Sequence, residues 1–207
     1  ALHPDYVTLG GSGEPTLFSR MDELIDRIRR LTDVPVAVLT NGSLLWQEEV
    51  RRQLLAAQLV IPSLDAGDEN MFGAVNRPHE RLSFAQMLEG LIAFREQYRG
   101  QYWLEVFLLA SHTADEGEVR RIAECVRRIR PDRVQLNTAT RPPAAPCAVM
   151  VDPRRMADLA GRFDPPAEVI AGRRGAPAQG DFQVGRQGVL EMVRRRPCSV
   201  EDIARGL

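Results

Sequence analysis

The chain has no lysine, since all 27 residues of its basic complement are arginine. No side-chain amine is available, which excludes a Schiff-base step by this chain's own residues. Cysteine is scarce. Cys125, Cys147 and Cys198 are too few for a disulfide framework and too far apart for a metal knuckle. Cys125 falls on the apolar side of a predicted helix and reads as packing. The histidines His3, His79 and His112 are scattered and read as loop residues. An excess of one charge is also missing. A net charge of -1 and a pI near 6.4 favour neither nucleic acid nor an anionic membrane surface. No run approaches the roughly 18 consecutive apolar residues of a spanning helix, and no signal-peptide pattern opens the chain. The sequence therefore reads as cytoplasmic, with no membrane partner. It starts without Met and a strand follows almost at once, so the expectation is a piece of a longer protein.

What is present is a regular alternation. From Tyr6 to Asn137, short β-rich runs alternate with longer segments of helical period, the pattern of βαβ units on a mainly parallel sheet. Strands are predicted at Tyr6–Leu9, Val34–Leu39, Leu59–Leu64, Trp103–Leu109 and Arg133–Asn137. Helices are predicted at about Ser19–Leu31, Gln47–Ala57, Asp68–Asn76, Ser83–Tyr98 and Asp115–Arg130. A closed eight-unit barrel needs about 250 residues, so these five repeats form an open sheet or a barrel missing units. Three prolines in Arg141–Pro146 forbid a helix there. The chain thus divides into a βα unit over 1–143, a linker with a helix at Pro153–Phe163 over 144–180, and a helical tail over 181–207.

The densest chemical signal is Gly10-Gly-Ser-Gly-Glu-Pro-Thr16, directly after the first strand. Three glycines in four positions let backbone approach a ligand closely. It is not a Rossmann fingerprint, because the spacing differs and Pro15 follows. Later strands also end in small polar groups: Thr40 and Asn41, then Ser63 and Asp65, then Asn137 with Thr138, while Glu105 lies within the fourth strand. Each can serve as a turn former or helix cap. As a set they point to one site, because parallel βα folds place ligands at the carboxyl ends of their strands. Glu14, Asn41, Ser63, Asp65 and Asn137 should then share one edge over about 20 Å, given strands about 4.8 Å apart. Glu105 should face the concave side, and the first strand should be an edge.

The Gly-Ser-Gly-Glu-Pro-Thr-Leu run resembles the GGEP-type motif of radical S-adenosylmethionine (SAM) enzymes. Thr40-Asn-Gly42 and Ser63-Leu-Asp65 follow in the order of that family's next strand ends. With Asp65-Ala-Gly-Asp-Glu69 and Asn76-Arg-Pro-His79, the chain is most similar to the iron–sulfur oxidoreductases related to the wyosine-forming tRNA enzymes. The resemblance covers about 5–143. It implies a partial (β/α) barrel, SAM as cosubstrate, and a 5′-deoxyadenosyl radical that abstracts hydrogen from an unknown substrate. It also implies that Ser12, Gly13 and Glu14 meet the methionine amino group, chiefly through backbone oxygens. Ser63 and Asp65 would lie near the ribose hydroxyls with Asn41 adjacent, and Glu105 and Asn137 near the ribose or adenine. The family's [4Fe–4S] cluster sits on a Cys-x3-Cys-x2-Cys loop that this chain does not contain, so its ligands are expected upstream of Ala1. The wyosine relatives hold pyruvate through a lysine, which is also missing here.

Two other readings stand beside this one. Glu14, Asp65 and Glu105 could serve as acid/base groups of a barrel lyase or aldolase, or the fold could be a non-catalytic nucleotide-binding module. The tail, with Arg194-Arg-Arg196 beside a helix that starts at Ser199, resembles the opening of a truncated winged helix. Expected partners are a protein or RNA substrate at that tail, and an electron donor such as flavodoxin or ferredoxin.

Overall fold

The computed structural model describes residues 4–11, 13–140 and 148–171, together with 190 and 194. Six strands, β1 (Val7–Leu9), β2 (Val36–Thr40), β3 (Leu59–Pro62), β4 (Gln101–Leu108), β5 (Arg133–Thr138) and β6 (Glu168–Val169), form one sheet in sequential order. Every pair is parallel. Between them run α1 (Met21–Leu31), α2 (Glu48–Leu54), α3 (Glu69–Val75), α4 (Phe84–Gln97), α5 (Glu116–Ile129) and α6 (Pro153–Ala160). Sequential order means that each crossover steps one strand in the same direction. This is how a (β/α) barrel grows, in contrast to a doubly wound sheet, whose order reverses.

Alternation along the strands decides which face carries the core. On β4, Tyr102, Leu104, Val106 and Leu108 are buried, while Trp103, Glu105 and Phe107 between them are only half-buried. The buried set faces the helices: the Tyr102 hydroxyl donates to the Leu91 carbonyl of α4 at 3.4 Å, and its ring packs on Phe94. β5 repeats the pattern, with Val134, Leu136 and Thr138 inward. The opposite face is concave. Tyr6, just before β1, meets Trp103 of β4 edge-to-face at 6.4 Å, and Arg133 lies 4.8 Å over the same indole. Strands three places apart would stand about 14 Å from each other in a flat sheet, so this contact reflects the sheet's curl.

Local chemistry explains the helix boundaries. Ser83 and Gln86 form a reciprocal capping box at α4, and Asp68 and Asp115 cap α3 and α5 through their carboxylates. Pro62 ends β3 earlier than its apolar run suggests. It has no N–H for the ladder, and pairing to β4 lapses after Val60 until the Ser63–Glu105 bridge.

Gly90 sets the distance between α4 and the turn after β2. A Cβ at position 90 would lie 2.7 Å from the Leu45 carbonyl carbon and closer still to the Trp46 amide. Both obstacles are backbone and cannot rotate away. Gly90→Ala should therefore lower stability by about 3 kcal/mol, read as a shift of the urea midpoint; an unchanged midpoint would mean that this helix is free to move outward.

The sheet continues past residue 143, because β6 pairs with β5 and α6 packs on β6. Ser12, the extended linker at 141–147 with Cys147, the 172–180 segment, and the winged-helix-like tail with Cys198 lie outside the described residues, apart from Leu190 and Arg194, which are helical. Among the described residues no helix is long and apolar enough to cross a membrane.

Candidate functional site

The Gly-rich turn leaves β1 at the carboxyl edge and enters a short 3-10 helix, Pro15–Leu17, that Glu14 caps. The Glu14 carboxylate does more than cap. Its Oε1 accepts from the Thr16 amide at 3.1 Å, the Thr16 hydroxyl at 2.6 Å and the Thr40 hydroxyl at 2.5 Å; its Oε2 accepts from the Asn41 amide at 2.7 Å. Two of these donors belong to the end of β2. One side chain therefore clasps the first two strand ends together. Gly13, just before it, is exposed, and a Cβ there would meet nothing within 4 Å.

The next links run along the same edge. Asn41 caps its own turn, with its Oδ1 accepting from the Ser43 amide at 2.9 Å, while Gly42 turns the chain at φ 74°. The Ser63 amide donates to the Thr40 carbonyl at 3.1 Å, and the Leu64 amide to the Glu105 carbonyl at 2.9 Å. Glu105 projects onto the concave face, where its Oε1 accepts from the Asn137 amide group at 2.8 Å. Glu14, Asn41, Ser63, Glu105 and Asn137 thus form a connected series across β1 to β5.

Asp65 stands at the end of β3. Its Oδ1 accepts from the Phe107 amide at 3.1 Å, replacing a ladder bond that β3 no longer offers, and its Oδ2 accepts from Asn76 Nδ2 at 3.0 Å. Burial pushes this carboxyl up to about 6, against the pull of those two donors, and the nearby Glu105 charge adds to the rise.

Sequence reasoning missed the groups that hold the loop after β3. Glu118 on α5 is fully buried; its Oε1 accepts from the Gly67 amide at 2.6 Å and its Oε2 from Arg121 Nε at 2.9 Å. Arg121 also reaches Asp68 at 3.1 Å. Gly67 is forced by the same contact, since a Cβ there would lie 2.8 Å from the Ile122 amide nitrogen. The available signal was an acidic residue at 118 on the same stripe as Ile122, Cys125 and Ile129, where an apolar one belongs.

All four carboxylate oxygens of Glu14 and Asp65 are engaged by donors of the fold. The Ser63 hydroxyl, Glu105 Oε2 and Asn41 Nδ2 have no partner among the described residues, and each Asp65 oxygen accepts one bond and keeps a second lone pair. Hydroxyl and carboxylate acceptors with an amide donor suit a ribose diol and a purine edge, so the edge fits SAM. An iron–sulfur cluster does not fit the described residues. No group of three or more His, Cys, Asp or Glu side chains among them is placed to hold a metal, and Cys125 is a buried thiol on α5 that burial pushes up.

No family model matches the chain. It is 50% identical over 137 residues to a protein of Brachyspira hyodysenteriae named GTPase Obg, a match covering 66% of this chain and 20% of that one. It is 38% identical over 140 residues to a UPF0026 protein of Methanocaldococcus jannaschii, covering 68% of this chain and 43% of that one. The chain therefore spans less than half the length of these two curated relatives. Among solved structures, it superposes on a domain of a pyruvate-formate lyase-activating enzyme from Bacteroides vulgatus with a TM-score of 0.61. That match has 18% identity and covers 80% of this chain and 98% of that one. A radical SAM methyltransferase from Sphaerobacter thermophilus matches with a TM-score of 0.53 and 17% identity, over 67% of this chain and 41% of that one. The curled, sequentially ordered parallel sheet is thus the fold found in radical SAM enzymes.

Proposed function

We propose that this chain is the SAM-binding part of a radical SAM enzyme, with SAM lying along the carboxyl edge of β1 to β5. The observation that carries the reading is the connected series from Glu14 through Asn41, Ser63 and Glu105 to Asn137, which presents free polar atoms along the carboxyl edge. Ser12 and Gly13 offer backbone oxygens to the methionine amino group, while Glu14 keeps their turn in place. Ser63 and Asp65 accept from the ribose hydroxyls. Glu105 and Asn137, locked to each other, orient the ribose or adenine, and the curl between Tyr6 and Trp103 limits water on the concave face. The chemistry SAM supplies when bound and given one electron is a carbon radical that takes hydrogen from a substrate.

Cluster ligands fall to residues outside those described, and the electron to a small donor such as flavodoxin or ferredoxin. The tail over 181–207 is assigned to contact with a protein or RNA substrate. A kinship with the wyosine-forming enzymes is supported by Asp65–Glu69 and Asn76–His79; the lack of lysine in this chain separates it from their pyruvate chemistry. A GTPase role gains no support, since a phosphate-binding P-loop needs a lysine that this chain does not have.

The test is chromatographic. The whole protein, loaded with iron and sulfide and reduced with dithionite, should convert SAM to methionine and 5′-deoxyadenosine. A sample with its cluster loaded that leaves SAM intact would remove the basis for the assignment.

A further inference from the structure

A cavity of about 410 Å³ opens beside the strand-end series, between the turn after β2 and the segment joining α3 to α4. That volume is in the range of small-molecule sites. Its lining is apolar at Trp46, which stands 44% exposed, Leu82 and Met87, and polar at Asn76, Arg77, His79 and Arg81. Neither the Arg77 nor the Arg81 guanidinium has an ion-pair or hydrogen-bond partner among the described residues.

Two independent observations mark this as more than a surface dent. Asn76 Oδ1 is the one buried side-chain polar atom without a hydrogen-bond partner among the described residues. Its amide cannot simply turn over, because Nδ2 is needed to donate to Asp65 and a reversed amide would set oxygen against carboxylate. A buried acceptor with no donor costs about 1–3 kcal/mol, so the cavity wall at Asn76 is held in place at a cost to stability. Arg77 is also held at φ 47°, in the left-handed region, immediately before Pro78. Such backbone costs a non-glycine residue about 1 kcal/mol or more and recurs at ligand clamps.

We propose that this cavity binds a small organic anion, with its carboxylate or phosphate on Arg77 and Arg81 and its apolar body on Trp46. Asn41 lines the same cavity and Asn76 holds Asp65. The anion therefore lies next to the SAM site, and that last step alone rests on the SAM reading.

Titration calorimetry tests it without cluster or SAM, using benzoate, phenyl phosphate and neutral benzyl alcohol as probes. One of the two anions should bind with one-to-one stoichiometry and quench tryptophan fluorescence, and benzyl alcohol should not. Tighter benzoate binding assigns a carboxylate, tighter phenyl phosphate binding a phosphate. The double variant Arg77→Gln/Arg81→Gln, both exposed positions, should keep its thermal midpoint and its SAM affinity while weakening the anion at least tenfold. Failure of both anions to bind, or equal binding by the double variant, overturns the proposal. Anion binding in a protein that does not bind SAM would leave the anion site standing and remove the SAM reading instead.

Discussion

Glu14→Ala should lower SAM affinity at least a hundredfold and cost the fold about 2–4 kcal/mol. The carboxylate receives four hydrogen bonds from Thr16, Thr40 and Asn41. Thr16 and Thr40 are only 5% and 4% exposed, so their hydroxyls find no water when the acceptor is removed. Hydrogen bonds to a charged acceptor contribute roughly 1.5–3 kcal/mol each when intact, and partial relaxation of the turn reduces the sum. The loss in binding is indirect: without its clasp the Gly10–Gly13 backbone no longer holds the positions assigned to the methionine end. Glu14→Gln separates the two effects. It keeps an acceptor for the Thr40 hydroxyl but turns an NH2 toward one of the remaining donors, and should fall between wild type and Glu14→Ala in both urea midpoint and SAM titration. Wild-type SAM affinity in Glu14→Ala would show that the Gly-rich turn is not part of the site.

Asp65→Asn should move stability and binding in opposite directions. The folded Asp65 carboxyl titrates near 6, above its ordinary 3.8. The folded state thus binds that proton more tightly than the unfolded chain does. The stabilisation is complete below about pH 4, falls as pH rises to about 6, and is lost above that. An amide carries no such penalty, so the variant should be more stable than wild type by about 2 kcal/mol at pH 8, with the difference vanishing near pH 4. Oδ1 of the new residue still accepts from the Phe107 amide, and its NH2 takes the position that faces Asn76 Nδ2, so the Asn76 amide must turn over for its oxygen to accept from it. SAM affinity should nevertheless drop at least tenfold, because a charged acceptor for the ribose hydroxyls is gone. Thermal unfolding at pH 4, 6 and 8 and a SAM titration check both halves. A stability difference that does not vary with pH would mean that Asp65 ionises normally.

The order of elements was legible because periodicity is local. The runs around Val36–Thr40 and Arg133–Thr138 announce buried parallel strands by β-branched and apolar content, and α1 and α5 show one apolar stripe each. Boundaries moved where one residue's chemistry overrode the run, as at Pro62. β6 was missed because two residues, Glu168 and Val169, are too few to carry a period and become a strand only by lying against Gln135 and Leu136.

What the sequence by itself determined was the candidate edge. Once the units are parallel βα repeats, a right-handed crossover must bring each strand end back to the same side, so Asn41, Ser63 and Asn137 could be placed together from their positions alone. Only the tertiary structure decided what those groups are free to do. Glu14 meets Thr40 across 26 residues, Asp65 meets Phe107 across 42, and Glu118 meets Gly67 across 51. No local pattern encodes such pairings. They arise because helix and sheet layers pack at backbone distance and leave particular donors without water, so the nearest carboxylate is drawn into holding the frame. For the same reason Asn76 and Arg77, which the sequence offered only as part of a motif, and Arg81 come to line one cavity once α3 and α4 close over the turn after β2.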